Sequence, residues 1–256
     1  MRNYILGDDF KYACKSVSKG VQEKYCKDGY FYKLNTLGNE GYVEYLVSRL
    51  LKFSNLPSNL YVSYEYCRIN GKLGCRSKNF LQAGETFMSM NTLYNKFIGH
   101  SELADHLMCL RDAPARLDYL LQLTESVGVP AVTFKKYLNI LMQLDLLIQN
   151  TDRHSHNYGL IFSSRLNKFR PAPIFDNGAS LGTVKVSSPV SCTLSGSFFD
   201  QVVAFGYPVR SVLTFDYKAL FTDLRRIEQL YGKRKELDFL RAQLEEYSYL
   251  FDRSRL

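Results

Sequence analysis

The sequence predicts an α+β fold of two lobes, in which an N-terminal lobe with an antiparallel sheet and one helix is followed by a mainly helical C-terminal lobe. Strand-like segments and turn residues fill the N-terminal third around one strong helical pattern. Long helical patterns dominate after residue 84. A chain of 256 residues, 46% of them hydrophobic, can bury a core of that size. We therefore assign an N-lobe to residues 1–84 and a C-lobe to residues 85–256.

The N-lobe is predicted to contain paired strands and one helix. Residues 10–35 indicate two strands around a loop. Asn39 is a candidate cap for a helix whose apolar positions follow the spacing of one buried face, at Val43, Leu46, Val47, Leu50 and Leu51. Residues 61–80 predict an antiparallel hairpin, because Asn70-Gly71 tolerates the positive φ of a tight turn.

The C-lobe is predicted to be helical apart from one strand pair. Pro130 can open a helix with one apolar face, at Phe134, Tyr137, Leu138, Leu141, Leu144 and Ile148. Residues 158–162 and 171–175 indicate two short strands, and the tail from Phe215 onward indicates two helices broken near Gly232.

Composition limits the classes of partner and compartment. The net charge of +8 favours anionic partners, but no block of basic residues interleaves with aromatic ones, so direct nucleic-acid binding is not expected. Charges interrupt every apolar run, which argues against membrane insertion. The absence of a leader and of Cys-x-x-Cys pairs favours a cytoplasmic protein, with delivery into another cell as an effector left open.

The loop at residues 150–157 and the segment that begins at Asp176 carry the residue types of phosphoryl transfer, a reaction that proteins accelerate by positioning reactants and neutralising phosphate charge. Asp152 can orient an attacking hydroxyl and take its proton, and Asn157 and Asp176 can offer oxygen ligands to Mg²⁺. Single Asp and Asn residues in loops usually cap turns. A helix, a D-x-x-x-x-N spacing, a hairpin and a D-x-G triplet in this order instead predict a kinase-type site.

Histidines in the same loop suggest zinc binding as an alternative. His154 and His156 are two residues apart, which is not the usual spacing of helical zinc ligands, and only His100 and His106 remain elsewhere. We therefore expect His154 to hold the shape of the loop, and assign it no ligand role.

Residues 16–24 form a candidate phosphate loop, because backbone amides of a short glycine-containing turn can fold over phosphates. A surface turn between strands is the alternative. Lys33, in the strand that follows, is placed to reach the α and β phosphates. Glu40 and Glu44 lie one helical turn apart, and we favour Glu44 as the partner of Lys33 because it lies inside the helix.

These motifs resemble those of the HipA-like family of bacterial serine/threonine kinases, which includes toxins of toxin–antitoxin pairs. Residues 18–24 are similar to the family's S-x-G-x-Q-x-K phosphate loop, with Lys19 between the serine and the glycine. Residues 150–157 are similar to its N-x-D-x-H-x-x-N catalytic loop, and residues 173–176 to its metal-binding segment. The motifs follow the family's order along the chain.

The resemblance implies ATP and Mg²⁺ as cofactors and a role for each matching residue. Asp152 would be the catalytic base, and Asn157 and Asp176 the metal ligands. The ATP-binding set would be Ser16, Ser18, Gly20, Gln22, Lys24, Lys33 and Glu44. Autophosphorylation of Ser16 or Ser18 would place negative charge where ATP phosphates bind, and so inhibit.

The resemblance also implies a protein substrate. Fifteen residues precede Ser16, fewer than in the full-length toxin with its N-terminal subdomain, so we expect a minimal kinase core. An antitoxin or a separate subdomain polypeptide is the candidate partner.

Two other functions remain open on the sequence. Residues 152–157 also fit the D-R-H-x-x-N loop of phosphoinositide kinases, although residues 178–198 hold only one basic residue, Lys185, for an inositol phosphate headgroup. The second alternative function is that of a pseudokinase, which binds nucleotide and a partner without transferring phosphate. The base and both metal ligands are nevertheless present in the sequence.

Overall fold

The computed structural model describes residues 1–11, 22–36, 38–99, 101–183, 194, 197–206 and 212–251. In these ranges the strands are β1 (Asn3–Tyr4), β2 (Lys24–Lys27), β3 (Tyr30–Leu34), β4 (Tyr64–Ile69), β5 (Lys72–Lys78), β6 (Glu85–Ser89), β7 (Gly159–Ser163) and β8 (Lys168–Pro171). The α-helices are α1 (Glu40–Lys52), α2 (Met90–Phe97), α3 (Leu103–Met108), α4 (Ala113–Glu125), α5 (Ala131–Ile148), α6 (Phe198–Val203), α7 (Tyr217–Tyr231), α8 (Lys235–Glu246) and α9 (Ser248–Phe251).

The chain forms two compact units. Unit 1 comprises Met1–Phe80, Asp176–Lys185 and Leu213–Leu256, and unit 2 comprises Leu81–Phe175 and Val186–Val212. The sequence predicts one boundary, at residue 84, whereas the first break between the units falls after Phe80 and two later segments rejoin unit 1. The difference arises because helices α7 and α8 pack in the same unit as α1, which sequence periodicity cannot reveal.

Unit 1 contains a five-stranded sheet in the order β1-β4-β5-β3-β2. Its neighbouring strands are antiparallel, except that β1 pairs with β4 in parallel. The predicted β4–β5 hairpin is present, with φ of 50° at Asn70 and 79° at Gly71. One face of the sheet carries a hydrophobic cluster of Leu6, Tyr25, Tyr32, Leu34, Cys67 and Ile69.

Helix α1 packs on strands β4 and β5. Its predicted apolar face is fully buried, at Val43, Leu46, Val47, Leu50 and Leu51. Asn39 occupies the N-cap position, but its side chain makes no capping hydrogen bond, and its Nδ2 donates to Glu236 Oε1 at 3.1 Å. Asn35 Oδ1 instead accepts from Gly41 N at 2.8 Å. Gly41 permits the close packing, since a Cβ there would lie 2.6 Å from the carbonyl carbon of Gly74.

Unit 2 contains a three-stranded antiparallel sheet, β6-β7-β8, with helices α2 to α6. Helix α5 begins directly after Pro130, as predicted, and buries all six residues of its predicted apolar face. The second strand lies earlier in the chain than predicted: β8 spans Lys168–Pro171 instead of residues 171–175, and Ala172 N, just after it, donates to the carbonyl of Gly159 at 2.9 Å.

The predicted α+β class is confirmed, with an antiparallel-rich sheet first and mainly helices afterwards. The two helices predicted for the tail are also present as α7 and α8, and Gly232 between them has a φ of 78°. None of the helices in the described ranges combines the length and the apolar character needed to span a bilayer.

Candidate active site

Unit 1 brings Lys33, Glu44 and Asp176 into one cluster. Lys33 Nζ lies 2.6 Å from Asp176 Oδ1 and 3.1 Å from Glu44 Oε1. Glu44 also accepts a hydrogen bond from the backbone N–H of Asn177, at 2.9 Å. The contact identifies Glu44, the favoured candidate, as the carboxylate that pairs with Lys33. Glu40 instead accepts from the backbone N–H groups of residues 36 and 38, at 3.3 and 3.1 Å.

Burial and charge set the ionisation of this cluster. Burial lowers the pKa of Lys33, but the nearby Asp176, Tyr64 and Glu44 outweigh it and hold that pKa well above its usual value. Burial raises the pKa of Glu44, against the attraction of Lys33. The charged form of Lys33 is therefore favoured although the side chain is buried, and a charged ammonium is a partner for phosphate oxygens.

The backbone around Asp176 is shaped to reach this cluster. Asp176 has a φ of 59°, a left-handed conformation that Asp tolerates better than most residues. Its backbone N–H donates to the hydroxyl of Tyr64 at 3.4 Å, and the Tyr64 ring lies 5.5 Å from Lys33 Nζ. A Cβ at Gly178 would lie 3.1 Å from Glu40 Cβ, so glycine lets the segment approach α1. No sequence pattern predicts a role for Tyr64 in the site.

Strands β2 and β3 place two further predicted residues near Lys33. Lys24 is the cross-strand partner of Lys33, and such partners project from the same face of a sheet. Like charges directly opposite one another are unfavourable, and here Lys33 is paired with Glu44 and Asp176. Gln22 Nε2 donates to the carbonyl of Leu34 at 2.7 Å, which fixes the chain just before β2. Ser16, Ser18 and Gly20, the rest of the predicted phosphate loop, lie outside the described residues.

Unit 2 holds Asp152 and Asn157 in one tight loop. Asn157 Nδ2 donates to the backbone carbonyl of Asp152 at 2.8 Å, and Asn150 Oδ1 accepts from Asp152 N at 3.1 Å. The side chain of Asp152 is 60% exposed, whereas Asn157 is buried. The loop therefore presents a carboxylate to solvent, and it orients the Asn157 amide with its oxygen on the side opposite the carbonyl of Asp152.

A buried ion pair, which the sequence analysis did not identify, holds this loop. Asp145 on α5 and Arg153 in the loop have fully buried side chains, with Arg153 Nε 3.1 Å from Asp145 Oδ2. Arg153 Nη1 also donates to the carbonyls of Asn157, at 3.2 Å, and Phe175, at 2.8 Å. A signal was present, because an aspartate within the apolar pattern of α5 requires a buried partner.

The loop histidines make local contacts. His154 Nδ1 accepts from the backbone N–H of His156 at 3.3 Å, and its Nε2 lies 3.6 Å from Asp152 Oδ1. His156 Nε2 lies 3.0 Å from Glu102 Oε2. These contacts agree with the predicted role of His154 in shaping the loop.

Each unit thus assembles one part of the predicted site. Lys33, Glu44 and Asp176 lie together in unit 1, and Asp152 and Asn157 lie together in unit 2. The prediction that Asn157 and Asp176 bind the same metal ion involves residues of both units and stays a prediction.

Comparison with known proteins identifies relatives of the fold. No protein-family model and no curated protein matches the sequence. Among solved structures, the chain is similar to CtkA, a proinflammatory kinase of Helicobacter pylori, with a TM-score of 0.63, 15% identity, and 92% of each chain covered. It is also similar to HipA from a Shewanella oneidensis toxin–antitoxin system, in complex with HipB and operator DNA. There the TM-score is 0.50 at 12% identity, with 96% of this chain and 67% of that chain covered.

At these identities the comparison concerns the fold. The similarity to CtkA covers 92% of this chain. The chain therefore has the fold of CtkA and HipA, and the resemblance to HipA-like kinases that its motifs indicate is confirmed at the level of the fold.

Proposed function

We propose that this protein is a HipA-like serine/threonine protein kinase that transfers the γ-phosphate of ATP, bound with Mg²⁺, to a protein hydroxyl. The observation that carries the proposal is the buried Lys33 ammonium held between Glu44 and Asp176, on a chain with the fold of a known kinase. Structural ion pairs are common, but here the three residues are those that the motifs select for nucleotide binding.

The chemistry of the described residues fits a nucleotide phosphate chain. Lys33 would bind the α and β phosphates, with Glu44 holding its ammonium in position. Lys24, across the strand pair, adds a second positive charge on the same face. Ser16, Ser18, Gly20 and Gln22 complete the proposed phosphate-binding set by the resemblance.

The oxygen ligands fit magnesium. Asp176 offers a carboxylate and Asn157 an amide oxygen, and Mg²⁺ prefers such hard ligands together with substrate phosphates. The bound ion would neutralise charge on the phosphates. Lys33 contacts one oxygen of the Asp176 carboxylate, Oδ1, at 2.6 Å, and a carboxylate can serve a cation on each of its two oxygens.

Asp152 would act on the acceptor hydroxyl. Its exposed carboxylate can accept a hydrogen bond from a serine or threonine hydroxyl and take the proton as the new oxygen–phosphorus bond forms and the bond to ADP breaks. Asn150 and Arg153 hold the backbone of the loop, which sets the point from which the Asp152 side chain extends.

The proposed macromolecular partners are a protein substrate and an antitoxin-like protein or separate subdomain polypeptide. HipA is described in complex with HipB and operator DNA, which supports a protein partner for a chain of the same fold. Direct nucleic-acid binding by this chain is not proposed.

The test is the intact mass of the protein after incubation with Mg²⁺ and ATP, with and without a generic protein acceptor. We expect the wild type to transfer phosphate to itself or to the acceptor. Asp152→Ala should abolish transfer while ATP binding is nearly unchanged. Asp118→Ala, which removes an exposed aspartate from α4 in the same unit, is the matched control and should transfer phosphate as the wild type does.

The outcomes separate the proposal from its alternatives. ATP binding without transfer would indicate a pseudokinase, and transfer to phosphoinositide vesicles but not to protein would indicate a lipid kinase. Equal transfer by Asp152→Ala and wild type would exclude Asp152 as the base. If Ser16→Ala/Ser18→Ala incorporates as much phosphate as the wild type, the proposed autophosphorylation of the loop is wrong.

A further inference from the structure

Helix α1 has a second packing surface, on the side opposite the active-site cluster. Each residue of an α-helix advances by about 100°, so Tyr42, Arg49 and Phe53 lie roughly opposite Glu44. All three are contacted by residues 213–251 of the same unit, which we call the C-terminal arm and which contains α7, α8 and α9.

The arm holds the first half of α1 by stacking and by a hydrogen bond. The guanidinium of Arg234 lies 4.6 Å from the ring centroid of the fully buried Tyr42 and 5.8 Å from that of Tyr66 on β4. The ring of Tyr231 contacts both tyrosine rings, at 6.0 and 5.6 Å. Glu236, which is buried, accepts from Asn39 Nδ2. The arm therefore spans α1 and the sheet that α1 packs on.

The arm holds the second half of α1 by an ion pair and backbone pairing. Arg49 Nε donates to Asp223 Oδ2 at 2.8 Å, and its Nη2 contacts the other carboxylate oxygen, which makes the pair bidentate. Asp216 N donates to the carbonyl of Phe53 at 2.9 Å, immediately after the helix. Contacts with the arm thus recur along the whole length of α1.

The opposite side of α1 carries the reactive residues. Glu44 receives Lys33 and the N–H of Asn177. Ser48, one turn further on, accepts from the backbone N–H of Tyr64 at 3.2 Å. Any shift of α1 would therefore move Glu44 relative to both Lys33 and the Asp176 segment.

We infer that the C-terminal arm is a positioning element for the proposed phosphoryl transfer: through Asp223 and Arg234 it fixes α1, and thereby holds Glu44 against Lys33 and Asn177. The expected effect on activity rests on the proposed function, whereas the positioning of Glu44 by the arm does not depend on catalysis. Asp223 and Arg234 touch none of Lys33, Glu44 or Asp176 in the contacts described, so they act through the helix.

The direct measurement is the hydrogen-exchange rate of the Asn177 backbone N–H without nucleotide, because its hydrogen-bond acceptor is Glu44. Asp223→Ala and Arg234→Gln should each raise this rate by about tenfold, as expected for weakening one hydrogen bond to a charged group. The same variants should lower kcat/KM for ATP by a similar factor. Glu44→Ala sets the upper limit of the effect on exchange.

Matched variants separate positioning from general loss of stability. Glu228 and Arg241 form an ion pair at 2.7 Å that joins α7 to α8 without involving α1, so Arg241→Ala should leave both readouts near wild type. The charge exchange Arg49→Asp/Asp223→Arg should recover part of the loss in Asp223→Ala. Arg234→Lys, which retains a cation over the tyrosine rings, should be milder than Arg234→Gln.

Each result has one reading. Unchanged exchange at Asn177 in both Asp223→Ala and Arg234→Gln refutes the inference, and so does an equal effect of Arg241→Ala. If the wild type transfers no phosphate, the proposed function fails, while the exchange rates still decide whether the arm positions Glu44.

Discussion

Substitution of Arg153 by methionine tests whether the buried ion pair holds the loop at residues 150–157. Arg153 and Asp145 are both 0% exposed, and the guanidinium also donates to two backbone carbonyls. Methionine retains much of the aliphatic volume but leaves the carboxylate without a partner. Removal of one member of a buried pair typically costs about 3–5 kcal/mol, and we expect a loss of that size near pH 8.

The pH dependence of the loss identifies its cause. Burial raises the pKa of Asp145 in the wild type, and Arg153 opposes this increase. Without Arg153, the pKa of Asp145 in the folded state must rise further above its pKa in the unfolded state. At a pH between these two pKa values, Asp145 keeps its proton only in the folded state. Stability of the variant therefore falls as pH rises through this window, by at most about 1.4 kcal/mol per pH unit.

The assay is the free energy of unfolding from urea titrations at pH 5 and pH 8. The defect of Arg153→Met should be smaller at pH 5. Asp145→Asn leaves a buried guanidinium, and not a carboxylate, without its partner. The loss of stability in this variant should therefore not become smaller at pH 5. The double variant Asp145→Asn/Arg153→Met should cost less than the sum of the single variants. A cost below about 1 kcal/mol at pH 8, or the same cost at both pH values, would refute the reasoning.

Two further predictions concern unit 1. Lys33→Met should weaken ATP binding by tenfold or more, because a charge-assisted contact to phosphate is lost. Isothermal titration calorimetry measures the affinity, and binding equal to that of the wild type would show that Lys33 does not contact the nucleotide. Gly41→Ala should lower the free energy of unfolding by about 1–3 kcal/mol, since the added methyl group would overlap the backbone of Gly74. Thermal unfolding measures this loss, and an unchanged melting temperature would show that α1 can move away from β5 at little cost.

Local patterns accounted for much of the fold. The buried face of α1, the start of α5 after Pro130 and the β4–β5 turn each depend on neighbours along the chain, so periodicity and turn chemistry were sufficient. Side-chain partners that are distant in sequence were not accessible in this way. Asn39 has the residue type of a cap, but in the fold its amide donates to Glu236, which is distant in sequence.

The candidate site was predictable to the same extent. The D-x-x-x-x-N spacing identified Asp152 and Asn157, and the position of Glu44 inside α1 identified the partner of Lys33. Arg153 was visible in the motif, but its role depends on Asp145, which the sequence shows only as a polar residue in an apolar helix. No pattern marks Tyr64, whose hydroxyl and ring serve the Asp176 segment only after folding.

The discontinuity of unit 1 has a consequence for synthesis. The sheet and α1 leave the ribosome before unit 2, whereas the helices that cover the far side of α1 are translated after it. Until those helices emerge, Tyr42 and its aromatic neighbours lack their cover, and a growing chain must carry this apolar surface exposed or bound to a chaperone. A polypeptide truncated before residue 213 would therefore be prone to aggregation and would lack a fixed Glu44, which the chain acquires only once α7 and α8 have been translated.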